Sequence, residues 1–205
     1  MGDFGVLEAN RYVLDRLDVE VGRFFYPAGA MALGVGQIYG GIRFAVDTGD
    51  GHYRTVRGLV YVLTHECDVD PNNERSFNTH VLICPVIRFE EWYQEFSQEN
   101  TSDYVRSFLA LLAARKVSRV MYLPFLGTEQ LPYGGLLYLN TITNSLVEAF
   151  LHSDARRLGT ATSYGIWSID QVLQRHLFRE KAERVPLDQE RMGGSEHTPE
   201  QPGRR

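Results

Sequence analysis

The alternation of apolar and polar residues in the first half of the chain predicts three consecutive strands. Two of them span residues 37–46 and 53–64 and are joined by a turn rich in Asp and Gly, and the third spans residues 80–87. Residues 59–63 are almost continuously apolar, which is typical of a strand buried on both faces. Because short connections join the three strands, the pattern favours an antiparallel meander within a small β-barrel over residues 34–88.

Apolar residues at other spacings flank this barrel on both sides. Residues 6–18 predict a short amphipathic helix or an extended arm, and we group residues 1–33 as an N-terminal arm. Residues 89–187 are expected to pack helices and extra strands on the barrel, which gives an α+β fold. The tail, residues 188–205, lacks apolar periodicity and is expected to be disordered.

The extension after the barrel contains several distinct patterns. Helical spacing is found over residues 90–96 and 104–116, and a strand is predicted over residues 120–123. Residues 142–151 fit either a strand or a helix. An N-cap within residues 160–163 is expected to begin a final helix.

The composition is that of a globular protein and makes RNA a disfavoured partner. Hydrophobic residues make up 43% of the 205 residues, charged residues make up 23%, and the formal net charge is −5. A surface built mainly to bind nucleic acid must neutralise phosphates, although a local basic groove is compatible with this composition. The basic segment Arg115–Arg119 is most simply explained as a complement to a helix dipole.

Targeting and redox features indicate a cytoplasmic protein with reduced thiols. The N-terminus carries Asp3 where a secretory segment would carry basic residues, and Val6 stands where a myristoylation motif needs Ser or Thr. No apolar run approaches the roughly 20 residues of a membrane-spanning helix, so we expect no membrane association. The two cysteines, Cys67 and Cys84, are expected to be unpaired.

A dense polar cluster interrupts the apolar pattern between the second and third strands. A rigid scaffold that presents a polar loop is a common setting for a functional site. The cluster and its flanks contain seven residues with binding or catalytic side chains: His65, Cys67, Asp68, Asp70, Asn72, Asn73 and His80.

The cluster contains metal-compatible ligands but not a complete set. His and Cys suit zinc, whereas Asp suits harder cations. A closed zinc site needs four ligands, and no second Cys-x-x-Cys or His-x-x-x-His arm accompanies His65 and Cys67. We therefore predict no metal and no cofactor, with zinc at this cluster as the alternative.

Cys67 is the candidate nucleophile of the cluster. His65 or His80 would activate its thiol, and Asp68 or Asp70 would orient that histidine. The two carboxylates also fit a pair of general acid and general base. The structural alternative, which we favour, is a small buried Cys67 at a strand end, with Asp68 accepting backbone N–H bonds in an Asx turn.

The order of motifs through the three strands resembles the MazF/PemK-like toxins. The matching segments are Gly36–Tyr39 at the opening of the first strand, Arg57–Thr64 in the second and Val81–Ile87 in the third. The resemblance covers residues 34–88 and implies an SH3-like barrel. It also implies metal-independent ribonuclease chemistry, in which Arg57 occupies the position of the family's phosphate-stabilising Arg.

A binding protein is the favoured class of function. The position of the family's orienting Thr falls on Ile87, which has no hydroxyl, and the chain is acidic. We therefore predict a binding or regulatory protein, of the kind found in bacterial toxin–antitoxin or phage-defence systems. Its partner would be a protein, and its recognition site would be the His65–Asp70 loop, with binding residues Asp70, Asn72, Asn73 and His80.

Two enzymatic alternatives stay open. One is a metal-independent endoribonuclease that uses Arg57. The other is a hydrolase centred on His65, Cys67, Asp68 and Asp70. Assembly into a homo-oligomer is compatible with either class of function.

Overall fold

The predicted apolar runs become strands of one antiparallel sheet in the computed structural model, which describes residues 2–17, 21–27, 32–73, 79–124 and 128–178. The spatial order is β1-β8-β2-β3-β4-β6-β5, and β7 pairs with β4. The strands are β1 (Phe25–Pro27), β2 (Gln37–Asp47), β3 (Tyr53–Val62), β4 (His80–Arg88), β5 (Val120–Leu123), β6 (Gly135–Tyr138), β7 (Thr143–Leu146) and β8 (Arg156–Ala161).

Helices connect and cover these strands. No helix in the described ranges is long and apolar enough to cross a membrane. Short 3-10 turns lie at Pro71–Asn73 and Leu139–Thr141. The α-helices are α1 (Gly2–Leu14), α2 (Val21–Phe24), α3 (Glu66–Val69), α4 (Phe89–Glu99), α5 (Ser102–Ala113), α6 (Glu148–Leu151) and α7 (Ser163–Phe178).

The central strands β3 and β4 are buried on both faces, as the continuous apolar run in β3 predicts. Val60 and Val62 pack on one face and Tyr61 on the other, and each is at most 1% exposed. In β4 the adjacent residues Ile83 and Cys84 divide between the same two faces. Both faces of the sheet therefore need a covering layer.

Helix α7 covers one face, where its Ile169 packs in the same core as Tyr61. The opposite face is covered in two parts. Helices α1, α4 and α5 pack over the β5–β6 end, and Leu109 of α5 shares that core with Tyr122. The short helices α3 and α6 contribute Val69 and Phe150 to a third core over β2, β3 and β4.

The α+β class is confirmed, whereas a closed barrel over residues 34–88 is not formed by the strand ladders. Strand β7 approaches β2, where Ser145 Oγ donates a 2.8 Å hydrogen bond to the carbonyl of Arg43. No backbone ladder joins β7 to β2 within the described ranges. Strand β8 instead pairs with β2 from Gln37 to Gly40, so the sheet continues past the edge that closure would use.

The structure can also be compared with the predictions for the N-terminal segment, for residues 142–151, for the last helix and for the tail. The segment near the N-terminus forms helix α1 rather than an extended arm. Residues 142–151 contain both β7 and α6. The N-cap of α7 is Thr162, whose Oγ1 accepts the N–H of Gly165 at 3.1 Å. The tail predicted to be disordered, residues 188–205, lies outside the described residues.

Helix α5 ends in a left-handed cap formed by a residue other than glycine. Arg115 has a φ of +55°, and its N–H donates to Leu112 O at 3.0 Å. The N–H of Lys116 donates to Leu111 O at 2.9 Å, which completes a Schellman motif. Glycine is the usual residue at this position because it has no Cβ penalty there.

A buried amide anchors α1 to the sheet. Asn10 is 4% exposed, and its Nδ2 donates to the Tyr122 hydroxyl at 2.8 Å and to the Tyr133 carbonyl at 2.6 Å. The Tyr122 hydroxyl in turn donates to the same carbonyl at 3.2 Å. Burial raises the pKa of Tyr122, which keeps this phenol protonated as a donor.

Removal of this amide should destabilise the fold. We expect Asn10→Ala to lower the free energy of unfolding by about 1–3 kcal/mol, because it removes two buried hydrogen bonds that join α1 to the sheet and the loop before β6. Urea denaturation followed by circular dichroism measures the change. The exposed Asn140 provides the control, since Asn140→Ala should alter stability by no more than about 0.5 kcal/mol. Equal losses in the two variants would contradict the anchoring role.

Candidate functional site

The chain leaves β3 through a short polar loop held by side-chain hydrogen bonds. Thr64 Oγ1 accepts the N–H of Leu82 at 2.7 Å, which ties the start of the loop to β4. Asp70 Oδ1 accepts both the backbone N–H and the side-chain amide of Asn72, each at 2.9 Å. An Asx turn, expected at Asp68, is thus observed at Asp70.

Cys67 lies on the surface of α3, so its expected burial is wrong. Its Sγ lies 3.9 Å from Asp68 Oδ1, and its carbonyl accepts a hydrogen bond from Asn73 Nδ2. The buried cysteine is Cys84, where burial raises the thiol pKa to about 12. Both thiols are unpaired, as predicted.

The two histidines of the cluster contact other groups. Partial burial raises the pKa of Asp170 in α7, and the nearby His65 opposes that rise. His80 Nδ1 lies 2.9 Å from Thr79 Oγ1. Among the described contacts, none joins either histidine to the Cys67 thiol. Over the same part of the chain, no group of three His, Cys, Asp or Glu residues is arranged to hold a metal ion.

Helix α3 borders a cavity of about 670 Å³, which we call the α3 cavity. Such a volume lies within the range of ordinary ligand sites. One wall is α6, whose Leu151 is 77% exposed. The apolar lining residues are Ala32, Leu33, Val69, Val147 and Leu151, and the polar ones are Glu66, Cys67, Asp70, Asn73, Thr79 and Glu148.

A close approach between backbone segments sets the position of α3 beside this cavity. A Cβ added at Gly34 would lie 2.8 Å from Glu66 Cβ and 3.0 Å from Glu66 N. Only glycine therefore allows the segment before β2 to pack this tightly against the first residue of α3.

Arg57 lies in a second cavity, of about 230 Å³, on the other side of α6; we call it the Arg57 cavity. Arg57 Nη2 forms a 2.6 Å ion pair with Asp154 Oδ2, and each side chain is 45% exposed. Asp154 Oδ2 also lies 3.5 Å from His152 Nδ1. Arg43 and Glu148 complete the charged lining.

The approach of the His152–Asp154 segment to β2 depends on Gly41. This residue has a φ of +78°, and a Cβ added there would lie 2.2 Å from the Asp154 carbonyl oxygen. The Gly41 carbonyl also accepts a 3.1 Å hydrogen bond from Arg57 Nε. Gly41 thereby fixes both partners of the ion pair.

The structure brings some predicted residues together and separates others. Cys67, Asp70 and Asn73 line the α3 cavity, whereas Arg57 lies apart from them in its own cavity. Sequence reasoning missed His152 and Asp154, although titratable residues that directly follow an apolar segment were a usable signal. Ile87, at the position of the family's Thr, pairs with Leu136 of β6.

Comparison with known proteins adds no relative: no family model, curated protein or solved structure matches this chain.

Proposed function

We propose that the chain is a binding protein whose recognition site is the α3 cavity. The observation that carries the proposal is that the polar loop singled out in the sequence borders a ligand-sized cavity with an apolar wall. Val69 and Leu151 both line the cavity; Val69 is buried, whereas Leu151 is exposed. An exposed leucine beside a cavity is a natural contact for an apolar side chain of a partner.

Charge defines the partner further. Glu66, Asp70 and Glu148 all line the α3 cavity, and none of its described lining residues is Lys or Arg. An acidic rim around an apolar wall complements a segment in which a large apolar residue is flanked by basic residues. The proposed partner is therefore a protein that presents a cationic, amphipathic segment.

The strands that support this cavity are proposed to be an SH3-like unit. Strands β2, β3 and β4 form a meander, and β7 lies across from β2. The bond from Ser145 Oγ to the Arg43 carbonyl supports this grouping, because it spans the gap between β7 and β2. The resemblance to MazF/PemK-like toxins stays a hypothesis that rests on this grouping and on Arg57.

A second candidate function is metal-independent RNA cleavage at the Arg57 cavity. Its support is the meeting of Arg57 with His152, Asp154 and Glu148 around one cavity. In such a reaction a base removes the proton of the ribose 2′-hydroxyl, and the oxygen attacks phosphorus. An acid then protonates the leaving 5′-oxygen.

The lining residues match the needs of that reaction. His152 and Glu148 have side chains that can serve as acid and base, and Asp154 lies where it can orient His152. Arg57 would stabilise the charge that develops on the phosphoryl oxygens. The substrate phosphate would have to replace Asp154 as the partner of the guanidinium. The exposure of that ion pair makes its net energy small, about 0–1 kcal/mol.

The binding proposal predicts a charge-selective peptide preference. On an array of peptides, those with Leu or Phe between Arg or Lys residues should bind, and their counterparts with Asp or Glu should not. Leu151→Arg should weaken binding at least tenfold by fluorescence anisotropy, because it removes the apolar contact and repels the basic segment. Leu111, which is similarly placed on the surface of α5, supplies the control variant Leu111→Arg. Preference for acidic peptides, or unchanged binding by Leu151→Arg, would refute the proposal.

The RNA-cleavage candidate predicts a different result. Cleavage of a labelled oligoribonucleotide should persist with a chelator present and should fall about 10²–10³-fold in Arg57→Ala. His152→Ala should cause a loss of about 10²–10⁴-fold. Arg54 lies exposed on the same strand, and Arg54→Ala should retain activity. Equal cleavage by the Arg54 and Arg57 variants would show that Arg57 is not involved.

Gly41 allows a test of the cavity geometry itself. Gly41→Ala should lower the free energy of unfolding by about 1–3 kcal/mol, because the new Cβ meets the Asp154 backbone. Gly49 has a comparable φ of +85°, but a Cβ added there meets nothing within 4 Å. Gly49→Ala therefore measures the backbone cost alone. Thermal denaturation compares the two variants, and equal losses would mean that the close approach has no energetic consequence.

A further inference from the structure

Two aromatic rings and two guanidinium groups form a surface at the start of α7, which we call the Trp167 face. The ring centres of Tyr164 and Trp167 lie 5.9 Å apart, and Trp167 is 55% exposed. The guanidinium carbon of Arg23 lies 5.0 Å from the centre of the Tyr164 ring. On the other side of α7, Ile169 and Val172 are buried in the core. Tyr164 is half-buried and packs edge-on against Phe24, whereas the exposed Trp167 ring belongs to none of the three cores formed by the described residues.

Arg115 supplies the second cation of this face. Its guanidinium carbon lies 5.9 Å from the centre of the Phe24 ring. Partial burial raises the pKa of Tyr164, but Arg115 and Arg23 both lower it, and the net result is a value below the usual one. Both guanidinium groups therefore lie near the Tyr164 hydroxyl.

The positive charges of the Trp167 face are not neutralised by any carboxylate of the described residues. Within the described part of the chain, neither Arg23 nor Arg115 forms an ion pair with a carboxylate. The next residue, Lys116, is exposed and adds a third positive charge. In an acidic chain, a group of cations that have no carboxylate partner among the described residues and that lie beside an exposed tryptophan is a local exception.

The position of Arg115 strengthens this argument. It occupies the left-handed cap position of α5, where glycine is the favoured residue. An arginine at this position carries a backbone cost, and its side chain lies near the aromatic rings.

We propose that the Trp167 face binds single-stranded nucleic acid, with a base stacked on Trp167 and neighbouring phosphates on Arg23 and Arg115. Exposed aromatic rings interleaved with cations are the recurring solution for binding unpaired strands without sequence preference. This site is separate from the α3 cavity and does not depend on the partner proposed there. Because each phosphate contact releases condensed counterions, binding should weaken as the salt concentration rises.

Tryptophan fluorescence and anisotropy test the site directly. The probes are labelled oligouridylate and oligothymidylate of about 12 nucleotides, a length within the site sizes of such surfaces. At low ionic strength both should quench Trp167, whereas Trp92, which is packed among aromatic rings of α4 and α5, contributes the background. Trp167→Ala should weaken binding at least tenfold, and Trp167→Phe should retain it because a stacking ring remains.

The salt dependence of binding tests Arg23 and Arg115 separately from Trp167. Arg23→Ser and Arg115→Gly should each reduce the slope of log affinity against log salt by about 0.7, the value for one phosphate contact on a single strand. Arg115→Gly keeps the left-handed cap, so its melting temperature should equal or exceed that of the original chain. Arg54→Ser is the matched control and should leave both affinity and slope unchanged.

Several outcomes would overturn the proposal. They are no binding at low salt, binding that Trp167→Ala does not weaken, and equal quenching by polyglutamate, which would assign the face to an acidic protein. Preference for RNA over DNA would refine the ligand and support the site. Leu151→Arg should bind the oligonucleotides normally, so failure of the α3-cavity proposal is distinguishable from failure of this one.

Discussion

Burial of β3 and β4 on both faces is the constraint on which the rest of this structure depends. Val60 and Val62 need cover on one side of β3, and Tyr61 needs cover on the other. Helix α7 covers the Tyr61 side, whereas the short helices α3 and α6 contribute to the core on the opposite side. The polar loop therefore emerges from a rigid, doubly packed strand, and the elements that cover this strand also form the walls of the two cavities.

Local pattern was sufficient for the strands of the meander. The predicted bounds of β2, β3 and β4 agree with the structure to within about two residues, because buried strands leave a plain apolar signal. Strand β8 left no comparable signal, since it begins with two arginines and contains Gly159. Strand β8 pairs with β2, which is far away in the sequence, and the local alternation of apolar and polar residues cannot predict such a pairing. Because of this pairing, the sheet stays open where a closed barrel was expected.

The candidate site shows the same division between local and long-range information. The sequence identified the polar loop, and the structure places Cys67 and Asp70 at a cavity. It could not identify Leu151 or Asp154 as neighbours of earlier residues, because tertiary contacts alone bring them there. The expected burial of Cys67 was also wrong. Cys84 sits on a core strand, whereas Cys67 follows the point where the apolar run stops.

Helix α6 contributes lining residues to both the α3 cavity and the Arg57 cavity. Glu148 lines both the α3 cavity and the Arg57 cavity, and Leu151 is followed directly by the His152–Asp154 segment. A displacement of Glu148 would therefore change the lining of both cavities at once. The α3 cavity and the Arg57 cavity therefore share one wall, which is helix α6.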